Sequence, residues 1–155
     1  MAASPRVGDR APQIRLDDHN GDPIDVASFK GRKVLVFFYP KANTSGCTNQ
    51  AVGLRDIASD IDDTVIIGIS PDDPAKNAAW AEKHELGFTL LSDPDHEVAE
   101  AFGVWGEKSM YGRRYMGIIR SAFLIDEEGI ISHAWPKISP KDTPKKLLAA
   151  LAEHA

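Results

Sequence analysis

The sequence predicts an α/β fold in which a mixed central β-sheet is flanked by helices. Three features of the chain support this prediction. Short apolar segments rich in β-branched and aromatic residues recur along it, segments with helical spacing lie between them, and the last two apolar segments are separated by a tight turn. Alternating strands and helices favour parallel pairing, while a closing hairpin adds an antiparallel pair. The length of 155 residues favours a single domain over residues 1–155.

Four short segments are expected to be strands. The first two stop at Pro40 and Pro71 and have the continuous apolar pattern of strands buried on both faces. The last two flank the turn sequence Asp-Glu-Glu-Gly at residues 126–129 and are expected to form a hairpin. In chain order, the predicted strands are residues 33–39, 64–70, 121–125 and 129–135.

Four segments are expected to be helical. The first has near-helical apolar spacing, interrupted by Gly53. The second starts with Asp73 as a cap and Pro74 in the first turn, and its Trp80 is expected to point inward. The last starts with Thr143 as its cap. In chain order, the predicted helices are residues 47–61, 74–86, 95–102 and 143–153.

Two further regions are less regular. Residues 104–117 carry glycines and charges and are predicted to form either a functional loop or a hairpin. The acidic residues Asp93, Asp95 and Glu97 lack the glycine and terminal glutamate of a calcium loop, so we interpret them as the charge pattern of a helix N-terminus. The five histidines show neither H-x-H nor H-E-x-x-H spacing, and no metal site is predicted.

Composition and charge narrow the classes of function. A net charge of −5 gives no general attraction to nucleic acid or to anionic lipid. No apolar stretch approaches the roughly 18–20 residues that a membrane span requires, and the first residues lack the apolar segment of a secretory signal. A single cysteine excludes a disulfide within the chain and suits a reducing compartment, so we expect a cytoplasmic protein.

That cysteine, Cys47, is the main candidate for chemistry. It falls in the first turn of the first predicted helix, where unpaired N–H groups and the helix dipole stabilise an anion, so its thiol should ionise more readily than a free thiol. Ionisation alone gains only about twofold in reactivity, because nucleophilicity falls as the thiolate becomes less basic. A catalyst would therefore also need donors for the leaving oxygen. The alternative is a small buried side chain that fills the strand–helix junction.

Candidate donors lie near the cysteine or at a strand end. Thr44, three residues earlier, would either cap the helix or donate to a bound ligand. Pro40 ends the strand and rigidifies the loop. Arg120 directly precedes a predicted strand, which would place its guanidinium at the end of that strand. Arg55, further along the helix, is expected to pair with Asp56 or another surface acid.

Several sequence motifs in the chain resemble those of a known family. Phe38-Tyr39-Pro40, followed by Thr44-Ser45-Gly46-Cys47, is similar to the P-x-x-x-T-x-x-C active-site motif of peroxiredoxins. Other segments resemble the bacterioferritin-comigratory-protein/PrxQ branch, and the similarity spans nearly the whole chain. These segments are residues 8–12, 68–72, 91–94 and the stretch from 102 to 120.

The resemblance implies a thioredoxin-like fold of the peroxiredoxin type and a cofactor-free peroxidase that reduces hydrogen peroxide and organic hydroperoxides. Cys47 would be the peroxidatic nucleophile and would become a sulfenic acid. Thr44 would hold the peroxide oxygens, Pro40 would shield the sulfur, and Arg120 would stabilise the thiolate and the transition state. The other motif residues expected to bind substrate are Tyr39, Ser45 and Gly46.

Three positions depart from the pattern of the family. Val52 stands where many relatives carry a resolving cysteine, so the sulfenic acid would need an external thiol: thioredoxin, glutaredoxin or a low-molecular-weight thiol. Ser45 replaces a common proline and is expected to loosen the loop. Gln50 replaces a frequent acid, which removes a negative charge near the thiolate. We expect a monomer or a weak homodimer.

Two other functions stay open at this point. One is a peroxide sensor or thiol relay that forms mixed disulfides with partner proteins, since the oxidised form would be long-lived without a resolving thiol. The other is an inactive thioredoxin-like domain with a structural cysteine.

Overall fold

The computed structural model describes residues 5–61 and 63–153. Over these residues the chain forms a seven-stranded sheet, a separate two-stranded hairpin and four α-helices. The strands are β1 (Arg15–Asp18), β2 (Pro23–Asp25), β3 (Val34–Phe38), β4 (Val65–Ser70), β5 (Thr89–Ser92), β6 (Trp105–Met110), β7 (Arg113–Ile118), β8 (Ser121–Ile125) and β9 (Ile131–Trp135). The helices are α1 (Ser45–Ile57), α2 (Pro74–Lys83), α3 (Glu97–Ala101) and α4 (Asp142–Ala152).

The main sheet is mixed, as predicted. Its order is β2-β1-β5-β4-β3-β8-β9, with β3, β4 and β5 mutually parallel and the flanking pairs antiparallel. Helix α1 forms the crossover between β3 and β4. The predicted closing hairpin is confirmed as β8–β9, whose turn is held by Asp126 Oδ1, which accepts hydrogen bonds from the backbone N–H groups of Glu128 and Ile130.

The core lies on both faces of the sheet because the central strands are buried on both sides. In β3, Leu35 and Phe37 pack on the face covered by α1, α2 and α4. Val36 and Phe38 pack on the opposite face, which is covered by α3 and by residues at the base of the β6–β7 hairpin. Strand β3 is therefore held from both sides, and the loop that follows it starts from a fixed point.

The helices begin and end close to the predicted positions. Helix α1 starts at Ser45 and is followed by a 3₁₀ turn over Ala58–Asp60. Gly53 has a packing role, because a Cβ added there would lie 3.1 Å from Pro144 Cγ of α4. The predicted cap of α2 is confirmed, since Asp73 Oδ1 accepts a hydrogen bond from Lys76 N at 2.8 Å.

The predicted cap of the last helix is wrong. Helix α4 starts at Asp142, so Thr143 lies inside its first turn. The Thr143 hydroxyl donates to the Ser139 carbonyl at 2.9 Å, while the Ser139 hydroxyl accepts from Asp142 N. The residue that closes this end is therefore Ser139, and the Thr143 side chain is directed into the protein.

Several elements are absent from the sequence-based prediction. Strands β1, β2 and β5 were not predicted, because each has only three or four residues and β1 and β2 carry charged residues. The segment at 104–117 forms the hairpin alternative, β6–β7, with Tyr111 and Gly112 at positive φ in its turn. Asp93 caps α3 through bonds from Val98 N and Ala99 N, which confirms its interpretation as a helix-terminal acid. Among the described residues, no helix has the length and apolar character needed to cross a membrane.

Candidate active site

The loop between β3 and α1 is tied to the neighbouring strand. Asp72, just after β4, accepts a hydrogen bond from Ala42 N at 2.6 Å. Asn43 then adopts a positive φ of 63°, and Thr44 returns to extended backbone as the residue before α1. This path brings the chain round within a few residues, so that α1 begins directly above the carboxyl end of β3.

Cys47 lies in the first turn of α1 and is fully buried, with 0% of its surface exposed. Arg120, in the short connection between β7 and β8, donates from Nη1 to Cys47 Sγ at 3.4 Å. A guanidinium keeps its positive charge in any ordinary solution and donates in fixed directions. The structure thus brings together the cysteine and the arginine that the sequence singled out, 73 residues apart in the chain.

Gln50 contacts the same guanidinium nitrogen as Cys47 does. Its Oε1 accepts from Arg120 Nη1 at 2.8 Å, and its Nε2 donates to Thr143 Oγ1 at 2.8 Å. Thr143 in turn donates to the Ser139 carbonyl. Gln50 is fully buried and lies one helical turn after Cys47. A chain of hydrogen bonds therefore runs from α4 through α1 to the arginine at the sulfur.

Gly46 allows the arginine to come close to the helix. A Cβ added to Gly46 would lie 3.2 Å from Arg120 Nη2 and 3.7 Å from Pro140 Cγ. Any larger residue would push the guanidinium away from α1. Ser45, the first residue of α1, is exposed at the edge of the same turn.

Thr44 and Pro40 both lie in the chain segment between β3 and α1. The Thr44 side chain is exposed, and its Oγ1 donates to the Lys41 carbonyl at 2.9 Å instead of capping α1. A hydroxyl held by one bond at the surface keeps acceptor capacity for a ligand. Pro40 is half-buried where the loop leaves β3.

Tyr39 lies beneath the loop rather than at its surface. It is fully buried, its ring lies 5.1 Å from the ring of Trp80, and its hydroxyl donates to Asn77 Oδ1 at 2.7 Å. Burial raises the pKa of Tyr39 above its ordinary value, and the nearby Asp72 carboxylate and Cys47 add to the rise. The phenol therefore stays a neutral donor. This placement favours support of the loop over contact with a substrate.

Trp80 extends that support to α1. It packs inward, as predicted, with 2% of its surface exposed, and its indole Nε1 donates to Thr48 Oγ1 at 3.1 Å. Thr48 follows Cys47 directly, and its backbone N–H donates to the Thr44 carbonyl at 2.9 Å. The turn that carries the sulfur is thus fixed by α2 on one side and by the chain from Gln50 on the other.

The environment of the sulfur bears on the two interpretations of Cys47. The thiol packs in the same cluster as Leu54 and Ala51, as a purely structural cysteine would. A structural cysteine does not need a guanidinium at hydrogen-bond distance, however. Burying part of the Arg120 charge costs free energy unless that charge has a partner. The contact with Arg120 therefore favours a chemical role for Cys47 over a purely structural one. Arg55, further along α1, forms the predicted ion pair with Asp56, and its Nη2 lies 2.8 Å from Asp56 Oδ1.

Three contributors to the site were not singled out as such from the sequence. Asp72 holds the loop, Thr143 anchors Gln50, and Gln50 orients Arg120. Only Gln50 had a local signal, because it lies three residues after Cys47 and so shares a helix face with it. The other two contacts join residues that lie far apart in the chain.

Comparison with known proteins places the chain in a family. Residues 7–134 match the model of the AhpC/TSA family. The chain is 54% identical over 138 residues to a putative Bcp peroxiredoxin of Haemophilus influenzae, covering 88% of this chain and 89% of the relative. It is 47% identical over 152 residues to the Bcp peroxiredoxin of Escherichia coli strain K12, covering 97% of each.

Solved structures agree with the sequence comparison. A structure of the Xanthomonas campestris bacterioferritin comigratory protein, determined to study its alkyl peroxide reduction activity, aligns with a TM-score of 0.84 at 31% identity over 91% of each chain. This similarity confirms the thioredoxin-like fold of the peroxiredoxin type. The chain therefore belongs to the AhpC/TSA family and, within it, to the Bcp/PrxQ group of peroxiredoxins, which are thiol-dependent peroxidases.

Proposed function

We propose that Cys47 is the peroxidatic nucleophile of this peroxidase and that Arg120 stabilises both its thiolate and the transition state. The observation that supports this most directly is the 3.4 Å contact between Arg120 Nη1 and Cys47 Sγ at the start of α1. The helix N-terminus and the guanidinium both favour negative charge at the sulfur. The substrates are hydrogen peroxide and organic hydroperoxides.

The chemical step is a displacement at oxygen. The Cys47 thiolate attacks the terminal oxygen of the hydroperoxide, a sulfur–oxygen bond forms, and the oxygen–oxygen bond breaks with its electron pair on the departing oxygen. The sulfur is oxidised to a sulfenic acid, and the departing alkoxide or hydroxide takes a proton from solvent. Arg120 and the N–H groups of Gly46 and Cys47 are the donors for the charge on that oxygen. The Thr44 hydroxyl, whose proton goes to the Lys41 carbonyl, would hold the peroxide by accepting a hydrogen bond from its O–H group.

The second half of the cycle uses an external thiol. The chain holds one cysteine, so a second protein or small-molecule thiol attacks the sulfenic sulfur, water leaves, and a mixed disulfide forms. Another thiol then releases Cys47. Since Cys47 has 0% exposure, the first turn of α1 must move before a thiol carrier as large as thioredoxin or glutaredoxin can reach it.

Steady-state peroxide consumption tests this function. The protein is supplied with thioredoxin, glutaredoxin or a low-molecular-weight thiol, each with its own reducing system, and a Cys47→Ser variant serves as the blank. We expect turnover with at least one donor and none with the variant. One round of oxidation without turnover by any donor would instead favour a sensor or thiol-relay function.

The cysteine content also bears on the compartment in which the protein acts. One cysteine suits a reducing compartment, which supports action in the cytoplasm. We also propose that residues 1–155 act as one domain and that the protein is a monomer or a weak homodimer. Light scattering across a range of protein concentrations tests the oligomeric state.

The role of Gln50 leads to a first prediction. Replacing Gln50 with leucine keeps the volume but removes the acceptor that orients Arg120, so we expect the rate constant for Cys47 oxidation to fall about tenfold. The substitution also removes the bond to Thr143, and because each hydrogen bond contributes about 0.5–1.5 kcal/mol, we expect a loss of about 1–3 kcal/mol in stability that leaves the protein folded. Stopped-flow oxidation and thermal unfolding measure the two effects.

The matched control is the same substitution at the exposed neighbour, Asn49→Leu. It should oxidise as the wild type does. A Gln50→Leu variant that also oxidises at the wild-type rate would show that Arg120 does not depend on Gln50.

A further inference from the structure

The β6–β7 hairpin carries a second cationic side chain, Lys108, whose ammonium lies near the segment that holds Arg120. Lys108 is half-buried, although residues 113–116 on the opposite strand are exposed. Its Nζ donates to the Ile118 carbonyl at 2.9 Å. The lysine therefore folds back from the middle of β6 to the base of the hairpin, where β7 ends and the connection to Arg120 begins.

Gly117 leaves room for this conformation, while a Cβ added to Gly106 would meet Ile119 instead. Gly106 and Gly117 are paired across the hairpin, on the same face as Lys108 and its cross-strand neighbour Tyr115. A Cβ added to Gly117 would lie 3.1 Å from Lys108 Cδ and 3.3 Å from Tyr115 Cε2, so the lysine stem occupies the space that a side chain would need. The lysine stem therefore packs along the hairpin, and its ammonium is held at the Ile118 carbonyl.

The connection that Lys108 contacts is the segment that carries Arg120. It runs from Ile118 through Ile119 to Arg120, with Ile119 N donating to the Val104 carbonyl at 2.7 Å. The Arg120 carbonyl accepts from Ile138 N at 3.0 Å. The bond from Lys108 to Ile118 adds a third tie, two residues before the arginine that contacts the sulfur.

Two groups of the active site, Arg120 and Cys47, interact electrostatically with Lys108. Burial lowers the pKa of Lys108, repulsion from Arg120 lowers it further, and Cys47 acts in the opposite direction. On the other face of the hairpin, Glu107 pairs with Arg114 at 3.4 Å, away from the lysine. Two cations held near one another are costly unless an anion shares the site, and a Cys47 thiolate is such an anion.

We propose that Lys108 is a positioning residue of the active site, which fixes the Arg120 connection through the Ile118 carbonyl and adds positive charge to the field at Cys47. The inference rests on the proposed peroxidatic role of Cys47. It assigns the β6–β7 hairpin a part in the reaction, beyond the loop, helix and arginine already described.

The test compares three variants with the wild type in stopped-flow oxidation by hydrogen peroxide at pH 6 and pH 8. Lys108→Met keeps the stem and removes the charge, while Lys108→Arg keeps a cation. Arg113→Gln is the control, because it removes an exposed charge from the same hairpin. We expect Lys108→Met to lose about three- to tenfold in rate constant, with the larger loss at pH 6, since a thiolate with less positive charge around it is protonated more readily.

The other two variants should stay within about twofold of the wild type. A Lys108→Met variant that is as fast as the wild type at both pH values would overturn the proposal. So would an equal loss at both pH values shared by Lys108→Arg, because it would show a purely structural effect. If Lys108→Met fails to fold, Lys108→Gln takes its place under the same criteria. A wild-type protein that reacts no faster than free cysteine would instead reject the proposed role of Cys47.

Discussion

Replacing Arg120 with methionine is expected to slow the oxidation of Cys47 by about 100- to 1000-fold. Arg120 is the charged donor seen at the sulfur, at 3.4 Å, and losing one donor of this kind typically costs about 2.7–4 kcal/mol in the transition state. The loss reflects both a less stable thiolate and a less stable departing oxygen. Stopped-flow measurement of the second-order rate constant, with circular dichroism to check the fold, gives the result.

The Arg120→Met variant needs two comparisons. Arg120→Lys keeps a charge without the planar fork, so it should recover only part of the rate. Arg55→Gln removes an arginine that bonds Asp56 and the His84 carbonyl, and it should oxidise at the wild-type rate. An Arg120→Met variant that is folded and within a few-fold of the wild type would contradict the proposed role of the guanidinium.

A second large effect concerns the fate of the oxidised sulfur. Treating the protein with excess peroxide in the absence of any thiol should convert Cys47 to sulfinic acid, visible by intact-mass spectrometry as a gain of two oxygen atoms. The reason is that the chain holds no other cysteine to capture the sulfenic acid, and Val52 occupies the nearby helical position. The same treatment with a reducing thiol present should leave the mass unchanged.

A Cys47→Ser protein is the control, and it should gain no oxygen at this position. A sulfenic acid that persists at large peroxide excess would count against the prediction. It would mean that the buried turn of α1 protects the oxidised sulfur from a second peroxide, despite the lack of a second thiol.

Much of the central fold could be predicted because its elements carry strong local patterns. Strands β3, β4 and β8 are continuous apolar segments, and α2 has a cap that can be read directly from Asp73 and Pro74. Strand β2 at the edge of the sheet and its neighbour β1 carry no such pattern, since both are short and largely exposed. They become strands by pairing with the sheet, which a local pattern does not record.

The sequence likewise indicates some residues of the active site but not their long-range contacts. Cys47 and Thr44 are recognisable because they lie together in one motif, and Arg120 followed from the resemblance to peroxiredoxins. The contacts of Asp72 with the loop and of Lys108 with Ile118 depend on how separate segments pack, so no spacing in the chain indicates them. The burial of Tyr39, with its hydroxyl on Asn77, likewise follows from the packing of α2 on the sheet.

The most direct test of the account is the rate at which the wild-type protein reacts with hydrogen peroxide in a stopped-flow instrument, compared with free cysteine at the same fraction of thiolate. If Arg120 and the N–H groups at the start of α1 stabilise the departing oxygen, Cys47 should react at least about a thousandfold faster, since such donors are each worth about two orders of magnitude or more. A rate constant equal to that of free cysteine would contradict the account, because the site would then only ionise the sulfur.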